Sequence, residues 1–131
     1  MSHSEKFQQL AAEAKKHIRE ISVDQLNLDN SSQELILIDV RENHEWEKGY
    51  VKGAIHLSRG TIEQKIEEVI PDPETPIICY CGGGNRSALV AESLQKIGYT
   101  NVQSLIGGFQ AWETAGLPTD QDSDSPSPEN P

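Results

Sequence analysis

The chain has 131 residues, 35% of them hydrophobic, which is enough for one domain with a modest core and too few for two. Its 21 acidic and 11 basic residues leave a formal charge of −10, with no basic stripe to offset it. This balance excludes nucleic acid and anionic membrane as expected partners, and any anion site has to be made locally.

No apolar run of signal-peptide or membrane-spanning character is present in the sequence, so a cytoplasmic location is expected. Cys79 and Cys81 are two residues apart, a spacing that argues against a structural disulfide between them, and reduced thiols are predicted. Three segments follow from composition. Residues 1–20 form an N-terminal amphipathic helix packed on the domain, residues 21–118 the main domain, and residues 119–131 an acidic tail. The tail includes Asp120, Asp122, Asp124 and Glu129, has no apolar anchor and is predicted to be disordered.

In chain order, Phe7, Leu10, Ala11, Ala14 and Ile18 fall at helical spacing, and Ser22 caps a short helical turn. Residues 35–40 are an almost unbroken apolar run, as in a central strand covered on both faces. Asn43 is expected to cap a helix over 44–48, which Gly49 closes. A short strand over 54–57 precedes a helix over 61–69, stopped by Pro71 and Pro73. A second buried strand over 76–80 leads into Cys81-Gly-Gly-Gly-Asn-Arg86 and a helix over 87–97 ended by Gly98. A strand over 102–105 and a helix over 109–115 complete the domain. Strands alternating with helices predict an α/β fold with a mostly parallel sheet.

The chemistry lies where the second buried strand ends, a glycine-dense loop turns and a helix begins. Gly82, Gly83 and Gly84 let successive amides curl inward as an anion-binding nest, and the first amides of the helix point the same way. Cys81 stands at the mouth of this nest, where the donors that would hold an anion also stabilise a thiolate. Asn85 and Arg86 complete the loop. Arg86 either adds a fixed positive charge to it or turns outward to an acidic neighbour. Cys79 reads as a small core hydrophobe. Asp39 has two readings, one structural and one in which it orients the loop by hydrogen bonding. Arg41 is expected to pair with Glu45 across the turn, and Ser87 to stand behind the loop. Phe109 and Trp112 read as core residues of the last helix. His3, His17, His44 and His56 make no metal-ligand spacing with the cysteines, so no metal is predicted, and no nucleophilic-serine motif is present.

Three segments in order resemble the rhodanese-like domain family: Ile38-Asp-Val-Arg-Glu42 with Glu45-Trp46 and Gly49-Tyr-Val-Lys-Gly-Ala-Ile55, then Cys81-Gly-Gly-Gly-Asn-Arg-Ser87, then Gly107-Gly-Phe-Gln-Ala-Trp112. The chain departs from the family at Lys52, where proline is usual. The resemblance implies that Cys81 takes a sulfane sulfur from thiosulfate or a similar small anionic donor. It would hold the sulfur as a persulfide under the amides from Gly82 to Arg86 and pass it to cyanide, a thiol or a protein acceptor. No cofactor is implied, and a monomer is expected. Two other readings stay open: a non-catalytic binding or regulatory module of the same fold, and a cysteine-dependent phosphatase or arsenate reductase. The phosphatase pattern has five residues between cysteine and arginine, whereas here there are four, Gly82 to Asn85.

Overall fold

The computed structural model describes residues 4–28 and 35–121. Helix α1 (Glu5–Lys15) starts where the Ser4 side chain accepts the Phe7 amide at 3.2 Å. Next come strand β1 (Arg19–Ile21) and helix α2 (Val23–Leu28), the latter opened by reciprocal bonds between Ser22 and Gln25. Strand β2 (Ile36–Asp39), helix α3 (Asn43–Lys48), strands β3 (Tyr50–Val51) and β4 (Ile55–His56), and helix α4 (Ile62–Val69) follow. Strand β5 (Ile77–Tyr80), helix α5 (Asn85–Ile97), strand β6 (Val102–Leu105), helix α6 (Gly108–Thr114) and strand β7 (Thr119–Asp120) complete the order.

Five strands form one parallel sheet in the order β1-β6-β5-β2-β4. From β2 the chain moves outward to β4, whereas from β5 it moves the opposite way to β6. The strand order therefore reverses between β2 and β5, and in open α/β sheets the crevice beyond the strand ends at such a point is where ligands bind. The loops after Asp39 and Tyr80 both open there.

Alternation along the strands fills both faces of the sheet. Ile77 and Cys79 join Ile38, Ile66, Val90 and Leu94 on one side, where α4 and α5 pack. Ile78 and Tyr80 join Val51, Leu105 and Phe109 on the other. Cys79 and Cys81 are both free thiols and belong to the same cluster, as positions i and i+2 of an extended chain do. What keeps them apart is the extended backbone, which sets their Cα atoms about 6.6 Å apart, near the limit of a disulfide. Helix α1 docks separately through Ala14 onto Ala88 and Leu89 of α5. No helix among the described residues is long and apolar enough to cross a membrane.

The structure departs from the sequence expectations in several places. Strand β1 pairs with β6, so a boundary at residue 20 would cut through an edge strand of the sheet. Helix α3 is capped by Glu42 rather than Asn43: Glu42 and Glu45 form a reciprocal box, with the Glu42 amide donating to Glu45 Oε1 at 3.0 Å. Thr119 and Asp120, placed in a disordered tail, pair antiparallel with Val51 and Tyr50. That strand extension uses backbone groups and needs no apolar side chain. Residues 1–3 and 122–131 lie outside the described residues.

Arg41 pairs with Asp39, not Glu45. Its Nη2 donates to Asp39 Oδ2 at 2.7 Å and to the Gly49 carbonyl at 2.6 Å, and its Nε lies 3.0 Å from Asp39 Oδ1. Both residues are buried, and the guanidinium sits 4.4 Å from the centre of the Phe109 ring. Burial alone would lower the Arg41 pKa, but bonding and attraction from Asp39 outweigh it and leave it raised. The same pair, with the Val51 amide donating to the Tyr80 hydroxyl at 3.0 Å, ties β3 to the ends of β2 and β5.

Removing one partner of a buried ion pair strands the other charge. Arg41→Met is expected to lower the urea midpoint by the equivalent of roughly 3–5 kcal/mol. The double variant Asp39→Asn with Arg41→Met should lose less than the two single variants combined, which equilibrium urea unfolding of all three would test.

Candidate active site

Cys81 follows the last residue of β5, and α5 begins four residues later at Asn85. Gly84 takes the left-handed conformation (φ 106°) that starts the helix, and a Cβ there would crowd the Gly107 nitrogen. This turn brings two amides onto the sulfur. The Gly84 amide donates to Cys81 Sγ at 3.1 Å and the Ser87 amide at 3.4 Å. The thiol in turn lies 3.6 Å from Ser87 Oγ, which is 2.8 Å from Ser104 Oγ. Both serines are fully buried.

The remaining amides are oriented from behind. The Phe109 amide donates to the Cys81 carbonyl at 2.7 Å, and the Gln110 amide to the Gly82 carbonyl at 3.2 Å. In a trans peptide the carbonyl and the next N–H point in opposite directions. The amides of Gly82 and Gly83 therefore face away from α6. Gly108 makes this approach possible, since a Cβ on it would overlap the Cys81 carbonyl.

Cys81 lies under the loop rather than at its mouth: only 1% of its surface is exposed, while Gly83 is exposed and Gly82 half-buried. Cys79 is sealed in the core, where burial, helped by the neighbouring Cys81, pushes its thiol up to about 12. Of the two thiols, Cys81 alone is next to donors suited to an anion.

The Asn85 and Arg86 side chains leave the loop in two directions, and the Arg86 guanidinium also interacts with the Cys81 sulfur by charge and hydrogen bonding. The Asn85 Oδ1 accepts from Lys15 Nζ at 3.0 Å, which links α1 to the loop. Arg86 makes a two-pronged pair with Glu45, Nη1 to Oε1 at 2.8 Å and Nη2 to Oε2 at 3.0 Å. Its guanidinium also passes within 3.3 Å of where a Cβ on Gly82 would stand. Arg86 thus stays over the loop, and the acidic neighbour it meets is Glu45. Asp39 and Arg41 engage each other at the end of β2, and no hydrogen bond between either of them and the loop side chains is seen among the described residues. Ser87 stands directly against the sulfur. Ser104, Lys15 and the pairing of Glu45 with Arg86 were missed from sequence. The available signal for Ser104 was a small polar residue two positions after Val102, on the same inward face of β6.

No group of three or more His, Cys, Asp or Glu side chains suited to a metal occurs among the described residues.

Hydrogen bonding to Arg86 holds the Glu45 carboxyl down to about 2 from an ordinary 4.5, against the opposing effect of burial. A carboxyl with a depressed folded-state pKa contributes fully above its unfolded value and loses that contribution as pH falls through the folded one. Glu45→Gln should therefore lower the urea midpoint at pH 7 by the equivalent of about 1 kcal/mol or less, because the pair is partly exposed and screened. The gap between variant and wild type should close as pH falls from 4.5 toward 2, measured by urea unfolding at each pH.

The rhodanese-like domain matches residues 22–115 as a family. Over 88 residues the chain is 42% identical to thiosulfate sulfurtransferase GlpE of Haemophilus influenzae, covering 67% of this chain and 82% of that protein. Among solved structures, a protein of unknown function from Rhodopseudomonas palustris, described as a possible tyrosine phosphatase, is similar at TM-score 0.79 and 27% identity. The similarity covers 92% of this chain and 98% of that one. The polysulfide-sulfur transferase homodimer of Wolinella succinogenes is similar at TM-score 0.72 and 28% identity, covering 93% and 92%. The family match takes in the parallel sheet from β2 to β6, the loop at Cys81 and the α6 buttress behind it: the chain belongs to the rhodanese-like domain family.

Proposed function

We propose that this protein is a sulfurtransferase in which Cys81 carries sulfur as a persulfide, loaded from thiosulfate or a similar small anionic donor and unloaded onto cyanide or a thiol. The observation that carries this reading is the pair of backbone amides, Gly84 and Ser87, that donate to Cys81 Sγ. Amide donors at the start of a thirteen-residue helix favour a sulfur anion, and the nearby Arg86 guanidinium adds a positive charge.

In the first half of the reaction the Cys81 thiolate attacks the outer sulfur of the donor. A new S–S bond forms, the donor's S–S bond breaks, and its electron pair leaves on sulfite. The Ser87 hydroxyl turns to donate to the sulfur anion while accepting from Ser104. The terminal sulfur of the persulfide then extends into the loop, toward the amides of Gly82 and Gly83 that α6 turns away from itself. In the second half an acceptor thiolate takes that sulfur and restores the Cys81 thiolate. Neither half calls for a metal or a general base.

A phosphatase reading is favoured by one similarity, to the protein described as a possible tyrosine phosphatase. Two features weigh against it. The loop is one residue shorter than the phosphatase pattern, and Arg86, which would have to meet a phosphoryl dianion, is bound to Glu45. Aryl phosphate hydrolysis dependent on Cys81, without sulfur loading from thiosulfate, would establish that reading instead.

Intact-mass measurement after thiosulfate treatment tests the proposal. One added sulfur atom, mapped to Cys81 and removed by cyanide, is expected for wild type and for Cys79→Ala. None is expected for Cys81→Ser, whose turnover should fall by at least about a thousandfold, the scale for loss of a nucleophile. Loading at Cys79, or none at any position, overturns it.

A further inference from the structure

Helix α1 lies before the family match, which begins at residue 22, and docks on α5 through Ala14 against Ala88 and Leu89, with Phe7 and Ile18 beside them. That apolar contact accounts for the docking. It does not account for Lys15, in the last turn of α1, whose Nζ donates to Asn85 Oδ1 at 3.0 Å. The bond sets an ammonium beside the first residue of α5, at the positive end of the helix dipole, where stability favours acids. The first turn of α5 has no acidic residue, and among the described residues no carboxylate pairs with Lys15. Arg86, in the same turn, is shared between Glu45 and the Cys81 sulfur. The loop end of α5 thus gathers positive charge that the fold does not need.

An ammonium can only donate, so Lys15 takes the Asn85 carboxamide by its oxygen. Oxygen and nitrogen are on diverging arms of that planar group. Nδ2 is therefore left on the arm away from Lys15, with two N–H groups and no hydrogen-bond partner among the described residues. Asn85 is half-buried and directly follows Gly84, whose amide donates to Cys81 Sγ. We propose that Lys15 is a positioning residue for sulfur loading: by fixing Asn85 Oδ1 it turns the Nδ2 donors toward the sulfonate end of the donor in the Cys81 loop, so that α1 completes the site. The inference rests on Cys81 being the sulfur carrier. In loading, the Cys81 thiolate bonds to the outer sulfur of thiosulfate, the donor's S–S bond breaks, and the electron pair leaves on sulfite, whose oxygens Nδ2 meets. Unloading onto cyanide involves no sulfonate, and Asn85 has nothing of that kind to hold.

In a reaction of two half-steps, kcat/KM for thiosulfate reports loading and kcat/KM for cyanide reports unloading. Both are measured in wild type, Lys15→Met, Lys15→Arg, Asn85→Ala and the double variant Lys15→Met with Asn85→Ala. Asn85→Ala should lower the thiosulfate value about tenfold, the scale of one hydrogen bond to a charged group. Lys15→Met frees the carboxamide to turn rather than removing it, and should lower that value at least about threefold. Lys15→Arg, which keeps a donor, should restore most of the loss. The cyanide value should stay within about twofold throughout, and Lys15→Met should cost nothing further in the Asn85→Ala background. A thiosulfate value that changes by less than about twofold in Lys15→Met overturns the proposal. So does an equal fall in both half-steps, which makes Lys15 a prop of the fold. A Lys15→Met effect that persists undiminished without the Asn85 side chain also overturns it, since the charge then acts by itself. If intact mass shows no labile sulfur on wild-type Cys81, the sulfur-carrier reading has failed and this inference falls with it. Loading at Cys81 that is indifferent to Lys15 sinks the inference alone.

Discussion

Two hydrogen bonds made behind the loop decide what the loop can do in front. The Phe109 and Gln110 amides take the carbonyls of Cys81 and Gly82, and planar trans peptides then turn the next N–H groups the other way. An anion-binding nest needs this orientation enforced, because three successive glycines have no intrinsic preference for it. Gly108 is the condition for the enforcement, since any larger residue would drive the start of α6 off the Cys81 carbonyl. The glycine pair at 107 and 108 therefore belongs to the site as much as Gly82–Gly84 do, although it lies more than twenty residues further along the chain.

The other side of the crevice is held by a different device. Beyond β2, Asp39 and Arg41 make a buried ion pair that also binds the Gly49 carbonyl and stacks near Phe109. A buried pair adds little net stability over an apolar substitute, but it is directional, and each partner is costly to leave alone. Its place at the reversal of strand order fixes β3 and α6 relative to β5. Phe109 joins the two devices, with its amide on the Cys81 carbonyl and its ring under Arg41. Helix α6 thus reads both walls of the crevice.

Local features of the site were legible in the sequence, and distant pairings were not. Cys81, the glycines and the helix start are contiguous, so strand, turn and helix could be read in a single stretch, and the helix begins at Asn85, two residues before the expected position. The unbroken apolar runs at 35–40 and 76–80 correctly signalled strands covered on both faces. The pairing of Arg41 with Glu45 expected across the turn does not form, because Arg41 precedes α3 and turns inward, so its partner is two residues back. Glu45 was left for Arg86, 41 positions away, and Lys15 meets Asn85 across 70. No periodicity encodes such contacts. Strand β1 was invisible because Arg19-Glu20-Ile21 is an edge strand, where one apolar residue in three is enough.

For an acidic protein, the proposed sulfur chemistry presents an apparent contradiction, which the backbone resolves. Peptide dipoles supply donors without adding net charge, so the loop can favour a thiolate while the surface stays negative. A persulfide places its outer sulfur about 2.05 Å beyond Sγ, a short step that stays within reach of the amides around Cys81. A tetrahedral phosphoryl group would need a wider ring and a free guanidinium to meet its second charge. Here the ring is one residue short and the guanidinium is bound to Glu45. Loop length and the Glu45–Arg86 pair therefore act in the same direction, toward a single added sulfur rather than a phosphoryl group.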